Sequence, residues 1–175
     1  MVEVVFTPTA ADYVAVQRTM FARSLRSRRF WGRMALLVAV VGAALLVVLL
    51  ALGERWPTAL VAAGGGVVSG LAGLAACIGI NRLLLPRRAR RLFAQQRTLH
   101  HEHRTTLDAT GFRQRSVRAD IALPWNELVY WHTGRDALLL YSNDLLAYFI
   151  PLHAFAPGQL AQVETILTDA GLPRR

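Results

Sequence analysis

The chain contains no lysine, a single cysteine and few acidic residues, and each shortage limits what it can be. All 20 basic residues are arginine, against 11 acidic residues. The single cysteine, Cys77, cannot form an internal disulfide, which excludes a disulfide-stabilised domain and fits a reducing compartment. No Gly-rich phosphate loop lies outside the apolar runs, and no Gly-x-Ser-x-Gly sequence is present.

Two uncharged apolar runs, residues 34–52 and 58–80, dominate the first half of the chain. At ~1.5 Å per residue the first run covers roughly 28 Å of a hydrocarbon core about 30 Å thick. The second run is long enough to cross with some tilt. Because backbone groups in lipid must pair within their own segment, both runs predict membrane-spanning helices, joined as a hairpin through residues 53–57.

The positive charge lies on the two outer flanks of this hairpin. Residues 18–33 carry six arginines and no acid, and residues 82–104 carry seven arginines and one acid, Glu102. The flanks therefore sum to +12 and the rest of the chain to −3, for a net +9. Arginine-rich flanks stay in the cytoplasm, which predicts a multi-pass protein of the cytoplasmic (inner) membrane with both termini cytoplasmic. The candidate lipid head-group contacts are Arg28, Arg29, Arg33, Arg87, Arg88, Arg90 and Arg91.

The segment before the hairpin reads as a strand followed by a helix. Residues 2–6 are mostly β-branched or aromatic, which predicts a short strand. Thr9 and Asp12 resemble a capping box at the start of an amphipathic helix, which we expect to continue directly into the first span. The hairpin returns the chain to the same side of the membrane. We therefore expect the strand to join the edge of a C-terminal sheet, giving a domain split by the two spans.

The second apolar run is rich in small residues. Gly66, Gly70 and Gly73 share one helix face and include a GxxxG sequence, so we predict that they mediate helix packing. Packing within the hairpin is favoured over a dedicated dimerisation face, because the short connection already makes the two helices neighbours.

The second half of the chain is β-rich. Pro86 predicts a kink or a new helix, and residues 86–104 form a basic connector. Beyond it, short β-like runs separated by turn residues predict five short antiparallel strands. A helix from Pro157 to about Ala170 then ends at the C-cap glycine Gly171. The predicted class is an α+β membrane protein, with a two-helix transmembrane hairpin and a small antiparallel β domain closed by a C-terminal helix.

Four short motifs in this half occur in a recognisable order. They are Leu-Asp-x-x-Gly-Phe at 107–112, Leu-Pro-Trp-x-Glu-Leu at 123–128, Leu-Leu-Leu-Tyr at 138–141 and Phe-Ile-Pro-Leu-x-Ala-Phe at 149–155. With the Asp12-Tyr13 pair and the two spans, the chain resembles the YcxB-like family of bacterial membrane proteins. The resemblance implies a pleckstrin-homology-like (PH-like) C-terminal domain and carries no catalytic residues. The expected organisation is an N-terminal strand and helix (1–33), the hairpin (34–85), the connector (86–104) and the PH-like domain (105–175).

The candidate chemical groups do not form a recognisable reactive set. His100, His101 and His103 flank Glu102, but adjacent helical residues point in different directions and no second ligand pair is suitably spaced. The spans contain no ionisable group of the kind that a transporter or intramembrane protease needs. We therefore predict no enzyme activity, no cofactor and no metal site.

Two further groups are candidate binding residues. Arg113 and Arg115 share one strand face, which favours a solvated strand edge over a lipid contact. Trp125 after Pro124 is expected to anchor the core. No nucleic-acid partner is predicted, because the basic residues lie beside the bilayer. The expected partners are membrane lipids and a membrane-associated protein or a second copy. The predicted function is a membrane-anchored interaction or scaffold protein; the alternative is an accessory subunit of a membrane enzyme or transporter complex.

Overall fold

The computed structural model describes all residues, 1–175, and has an α+β architecture. It contains four α-helices and seven strands in two antiparallel sheets. The chain divides into two compact units. We call the first the split domain, Met1–Thr19 with Pro86–Arg175, and the second the helical hairpin, Met20–Leu85.

The first sheet joins the two ends of the chain. Its order is β1 (Val2–Phe6), β2 (His103–Leu107), β3 (Gly111–Ser116) and β4 (Ala119–Pro124), all antiparallel. In β1, alternate residues are buried and the others are exposed, as expected for an edge strand with one face on the core. The pairing of β1 with β2 confirms that the N-terminal strand adds to the C-terminal sheet.

The second sheet contains β5 (Tyr130–Thr133), β6 (Ala137–Tyr141) and β7 (Ala147–Pro151), with β6 in the centre. Every residue of β6 is buried, which explains its continuous apolar sequence. Six strands therefore follow the hairpin rather than the expected five. The first of the six is β2, which pairs with β1 from the other end of the chain.

The C-terminal helix α4 (Gln159–Asp169) packs its apolar face on the core of the split domain. Val163 and Leu167 are fully buried there, and Ile166 is partly buried. Gly171 ends the helix with φ +73°, as predicted. The amide of Gly171 donates to the Thr168 carbonyl (2.9 Å), and that of Leu172 to the Leu167 carbonyl (3.1 Å), which is a Schellman motif.

The first helix, α1 (Ala10–Arg26), begins at a reciprocal capping box and ends before the first apolar helix begins. The expectation of one continuous helix is wrong, because Ser27 is extended (ψ 123°) and separates α1 from α2 (Arg28–Ala51). The indole N–H of Trp31 donates to the Leu25 carbonyl at 2.6 Å. This bond satisfies one of the carbonyls that the end of α1 leaves without a helical partner.

The hairpin contains the two most apolar helices of the chain. Helices α2 and α3 (Trp56–Gln95) are long and apolar enough to cross a membrane, by length and composition. Gly53 lies in their connection with φ +86°, a conformation that favours glycine. Pro86 does not begin a new helix, since α3 continues through it to Gln95. The connector is thus partly the end of α3, followed by a short 3₁₀ helix, Arg97–His100.

Candidate functional site

The outer face of the first sheet carries charged side chains that pair with each other. Asp120 accepts bonds from Nε and Nη2 of Arg113 (2.9 and 2.7 Å) and from Nε of Arg115 (2.9 Å). The hydrogen bond from Arg113 is the largest effect that lowers the pKa of Asp120 to about 2. Nearby, Arg104 pairs with Glu3 of β1 at 3.3 Å. The two strand arginines thus share a carboxylate in a solvated strand face.

A second cluster connects the start of α1 with the short 3₁₀ helix Leu152–Ala154, which follows β7. Asp12 accepts hydrogen bonds from the amide and the hydroxyl of Thr9 (2.9 and 2.7 Å) through one carboxylate oxygen. Its other oxygen lies 3.0 Å from Nε2 of His153. Because the hydroxyl contacts the carboxylate and not the imidazole, this is not the nucleophile–base contact of covalent catalysis. The cluster instead fixes the first turn of α1 on the C-terminal part of the domain.

The three histidines near the start of β2 lie in different surroundings. Nε2 of His100 is 3.0 Å from the Phe93 carbonyl, and its ring packs on Phe93. His103 is buried and stacks on Phe6 of β1, with ring centroids 5.8 Å apart. Burial lowers the pKa of His103 below 6.5, an effect that the Thr98 carbonyl opposes. The model brings no group of three or more His, Cys, Asp or Glu residues together in a geometry that could hold a metal ion.

The predicted packing and head-group residues of the hairpin occupy different environments. A Cβ placed on Gly66 would lie 2.9 Å from Leu45, so this glycine lies directly against α2. Nothing lies within 4 Å of the same position at Gly70 or Gly73. Gly42 of α2, which sequence reasoning missed, lies against Val67 at 3.0 Å. The predicted head-group arginines lie in the first turns of α2 (Arg28, Arg29, Arg33) and near the end of α3 (Arg87, Arg88, Arg90, Arg91).

The last residues of the chain cover the outer edge of β5, which sequence reasoning also missed. The amide of Trp131 donates to the Pro173 carbonyl, and the amide of Arg175 to the Trp131 carbonyl, both at 3.0 Å. The Trp131 indole donates to the Leu172 carbonyl at 3.0 Å, and the Arg174 guanidinium lies 4.9 Å from the ring centroid. The tail therefore shields an edge that could otherwise pair with another chain.

The sequence motifs at 107–112 and 123–128 contact each other at the β2–β3 turn. Asp108 accepts hydrogen bonds from the hydroxyl and amide of Thr110 (2.6 and 2.7 Å), which lower its pKa, and from the amide of Gly111 (3.1 Å). A Cβ on Gly111 would lie 2.4 Å from the Leu123 carbonyl, so only glycine fits. The Trp125 indole donates to the Asp108 carbonyl at 3.0 Å. Trp125 is buried in the core, as predicted.

Comparison with protein-family models matches the part of the chain that contains these motifs. Residues 107–167 match the model described as YcxB-like protein. Residues 107–167 are similar to the YcxB-like family. The match confirms the resemblance drawn from the motifs, and it begins within β2 and ends within α4. No curated protein and no solved structure is significantly similar to the chain.

Proposed function

We propose that this chain is a membrane-anchored interaction protein, whose split domain binds a membrane-associated protein at the cytoplasmic surface of the inner membrane. One observation carries the proposal: the apolar helices are inserted between β1 and β2 of a single folded domain. If both helices cross the bilayer, the domain is attached to the membrane at two points of its chain. Such tethering raises its effective concentration toward partners in the same membrane.

The surface of the hairpin supports membrane crossing. Large apolar side chains of α2 are mostly exposed, for example Leu36 (66%), Val40 (57%) and Val47 (64%). Exposed apolar faces of this extent are unfavourable in water and favourable in lipid. The arginines outside the two ends of the hairpin support cytoplasmic termini. Reporter fusions at Glu54 and Arg175 test this: an extracytoplasmic Arg175 would refute the orientation.

The split domain also supports the PH-like fold that we propose for it. A four-stranded and a three-stranded antiparallel sheet enclose one core, and a C-terminal helix packs against that core. In this interpretation the hairpin is an insertion between the first and second strands.

The turn between β6 and β7 is the surface that we propose for the partner. Oδ1 of Asn143 accepts hydrogen bonds from the amides of Leu145 (2.8 Å) and Leu146 (2.7 Å), which holds the turn in shape. The two leucine side chains are nevertheless 87% and 52% exposed. Full burial of one leucine contributes about 1.5–3 kcal/mol, so this turn can provide a small apolar contact without refolding.

The test is site-specific photocrosslinking of the full-length protein in native membranes. A crosslinker at Leu145 should capture a membrane protein or a second copy, whereas one at the exposed Thr110 of the β2–β3 turn should not. Equal capture from both positions would contradict the assigned surface. If the captured protein is a component of an enzyme or transporter, the accessory-subunit alternative is supported. Turnover by the purified protein alone, lost on changing one polar residue, would refute an interaction role.

Neutralising the two strand arginines tests whether they hold the protein on the membrane. Arg113→Gln with Arg115→Gln should leave membrane localisation intact, because two buried spans contribute far more than exposed ion pairs. Membrane fractionation measures this. Release of the double variant into the soluble fraction would show that these arginines hold the protein on the membrane.

A further inference from the structure

A groove runs between the two helices of the hairpin on the side of the arginine-rich ends. The helices are in close contact near their connection, where Ala59 and Ala63 are buried and where Gly66 lies against Leu45. Beyond Gly42 and Val67 the facing side chains leave an open space of about 460 Å³ between the helices. Its walls are apolar: Ala35, Ala39 and Gly42 of α2, and Val67, Leu71 and Leu74 of α3.

The length of the groove matches one leaflet. It extends along α2 from Trp31 to Ala43, which is roughly 18 Å at ~1.5 Å per residue. A hydrocarbon core about 30 Å thick gives each leaflet about 15 Å. The closed end of the groove, at Gly42, therefore lies near mid-membrane if α2 crosses the bilayer. The open end lies at Trp31, a residue type that prefers the interface.

Arginines continue both walls of the groove past its open end. On α2, Arg28 precedes Trp31 by three residues and Ala35 by seven, so it lies on the groove face of the helix. On α3, Arg82 follows Leu74 by eight residues, which again places it on the same helix face. No acidic residue occurs between Tyr13 and Gly53 or between Arg55 and His101. The open end is thus positively charged with no acidic residue of the hairpin to neutralise it.

We propose that the groove binds one anionic phospholipid of the cytoplasmic leaflet, with an acyl chain between α2 and α3 and its phosphate between Arg28 and Arg82. This inference rests on the proposed membrane crossing and goes beyond it, since it assigns a specific lipid site and not a diffuse attraction. The apolar walls accept one chain, and the charge of the open end selects an anionic head group.

Lipid binding is measured on the full-length protein in detergent by native mass spectrometry. Phosphatidylglycerol and phosphatidylcholine with identical acyl chains are added at equal concentration. We expect one retained lipid per chain. A charge near the surface contributes about fivefold in affinity, so two arginines give about a 25-fold preference for phosphatidylglycerol. Retention of both lipids to equal extents would overturn the proposal.

Matched variants locate the lipid. Ala39→Phe fills the groove and should abolish retention, whereas Val40→Phe, on the neighbouring exposed position, should not. Arg28→Gln with Arg82→Gln should remove the head-group preference, while Arg55→Gln in the connection should keep it. Unchanged retention in Ala39→Phe, or unchanged preference in the double arginine variant, would overturn the site. If the unmodified protein fractionates with membranes but retains no lipid, only this site is refuted; if the unmodified protein is absent from membranes, the proposed function is refuted as well.

Discussion

Replacing Phe6 by alanine tests whether the N-terminal strand is part of the split domain. Phe6 is 6% exposed and lies opposite His103 in the β1–β2 pairing. Its ring stacks on His103 at 5.8 Å and contacts Phe149 of β7 at 6.4 Å, so the side chain connects both sheets. Truncating a buried phenylalanine costs about 3–5 kcal/mol. Total stabilities of domains are about 5–15 kcal/mol, so Phe6→Ala should remove roughly a fifth or more of the stability.

The control is the neighbouring residue on the other face of the strand. Val5 is 43% exposed, and Val5→Ala should change the free energy of unfolding by less than about 0.5 kcal/mol. Pulse proteolysis of the full-length protein in mild detergent and increasing urea measures the unfolded fraction of the split domain. Cleavage within 103–175 is scored, because this region lies outside the hairpin. If both variants unfold at the same urea concentration, β1 does not pair with β2, and the split-domain assignment is wrong.

Three further changes test individual contacts of the split domain. Burial lowers the folded-state pKa of His103 below 6.5. The contribution of the neutral imidazole to stability is therefore fully present above pH 6.5 and declines as the pH falls through the folded-state pKa. In His103→Leu, the midpoint urea concentration of unfolding should vary less with pH over this range. Gly111→Ala places a methyl group 2.4 Å from the Leu123 carbonyl and should cost more than 1 kcal/mol in urea unfolding; a cost near zero would show that the turn relaxes freely. Thr9→Ala removes the cap of α1 and should cost about 0.5–2 kcal/mol by the same assay, with no cost expected if the cap does not form in solution.

Sequence reasoning succeeded where the signal is local. The capping box at Thr9 and Asp12 and the C-terminal glycine Gly171 were both predicted, because each uses residues three or four positions apart. The two long apolar helices follow from uninterrupted composition. The break at Ser27 was missed, since no proline or glycine marks it in the sequence; the bond from the Trp31 indole to the Leu25 carbonyl spans it in the structure.

Contacts between distant residues explain the other differences. Asp12 and His153 meet across 141 positions, and no spacing rule links them. The covering of β5 by the C-terminal tail depends on where α4 ends relative to the second sheet. The groove of the hairpin depends on which side chains of α2 and α3 face each other, which the sequence of each helix alone does not determine.

By itself, the sequence determined the apolar character of the two long helices, the charge on their flanks, the capped start of α1, the glycine end of α4 and the motifs at 107–128. Those properties depend on composition and on short spacings, which each segment carries independently. Only the tertiary structure decided the register of β1 on β2, the close approach of the Leu123 carbonyl to Gly111 and the open space between α2 and α3 beyond Gly42. Each of these depends on the packing of segments remote in the chain, where the shape of one surface decides how closely the other approaches.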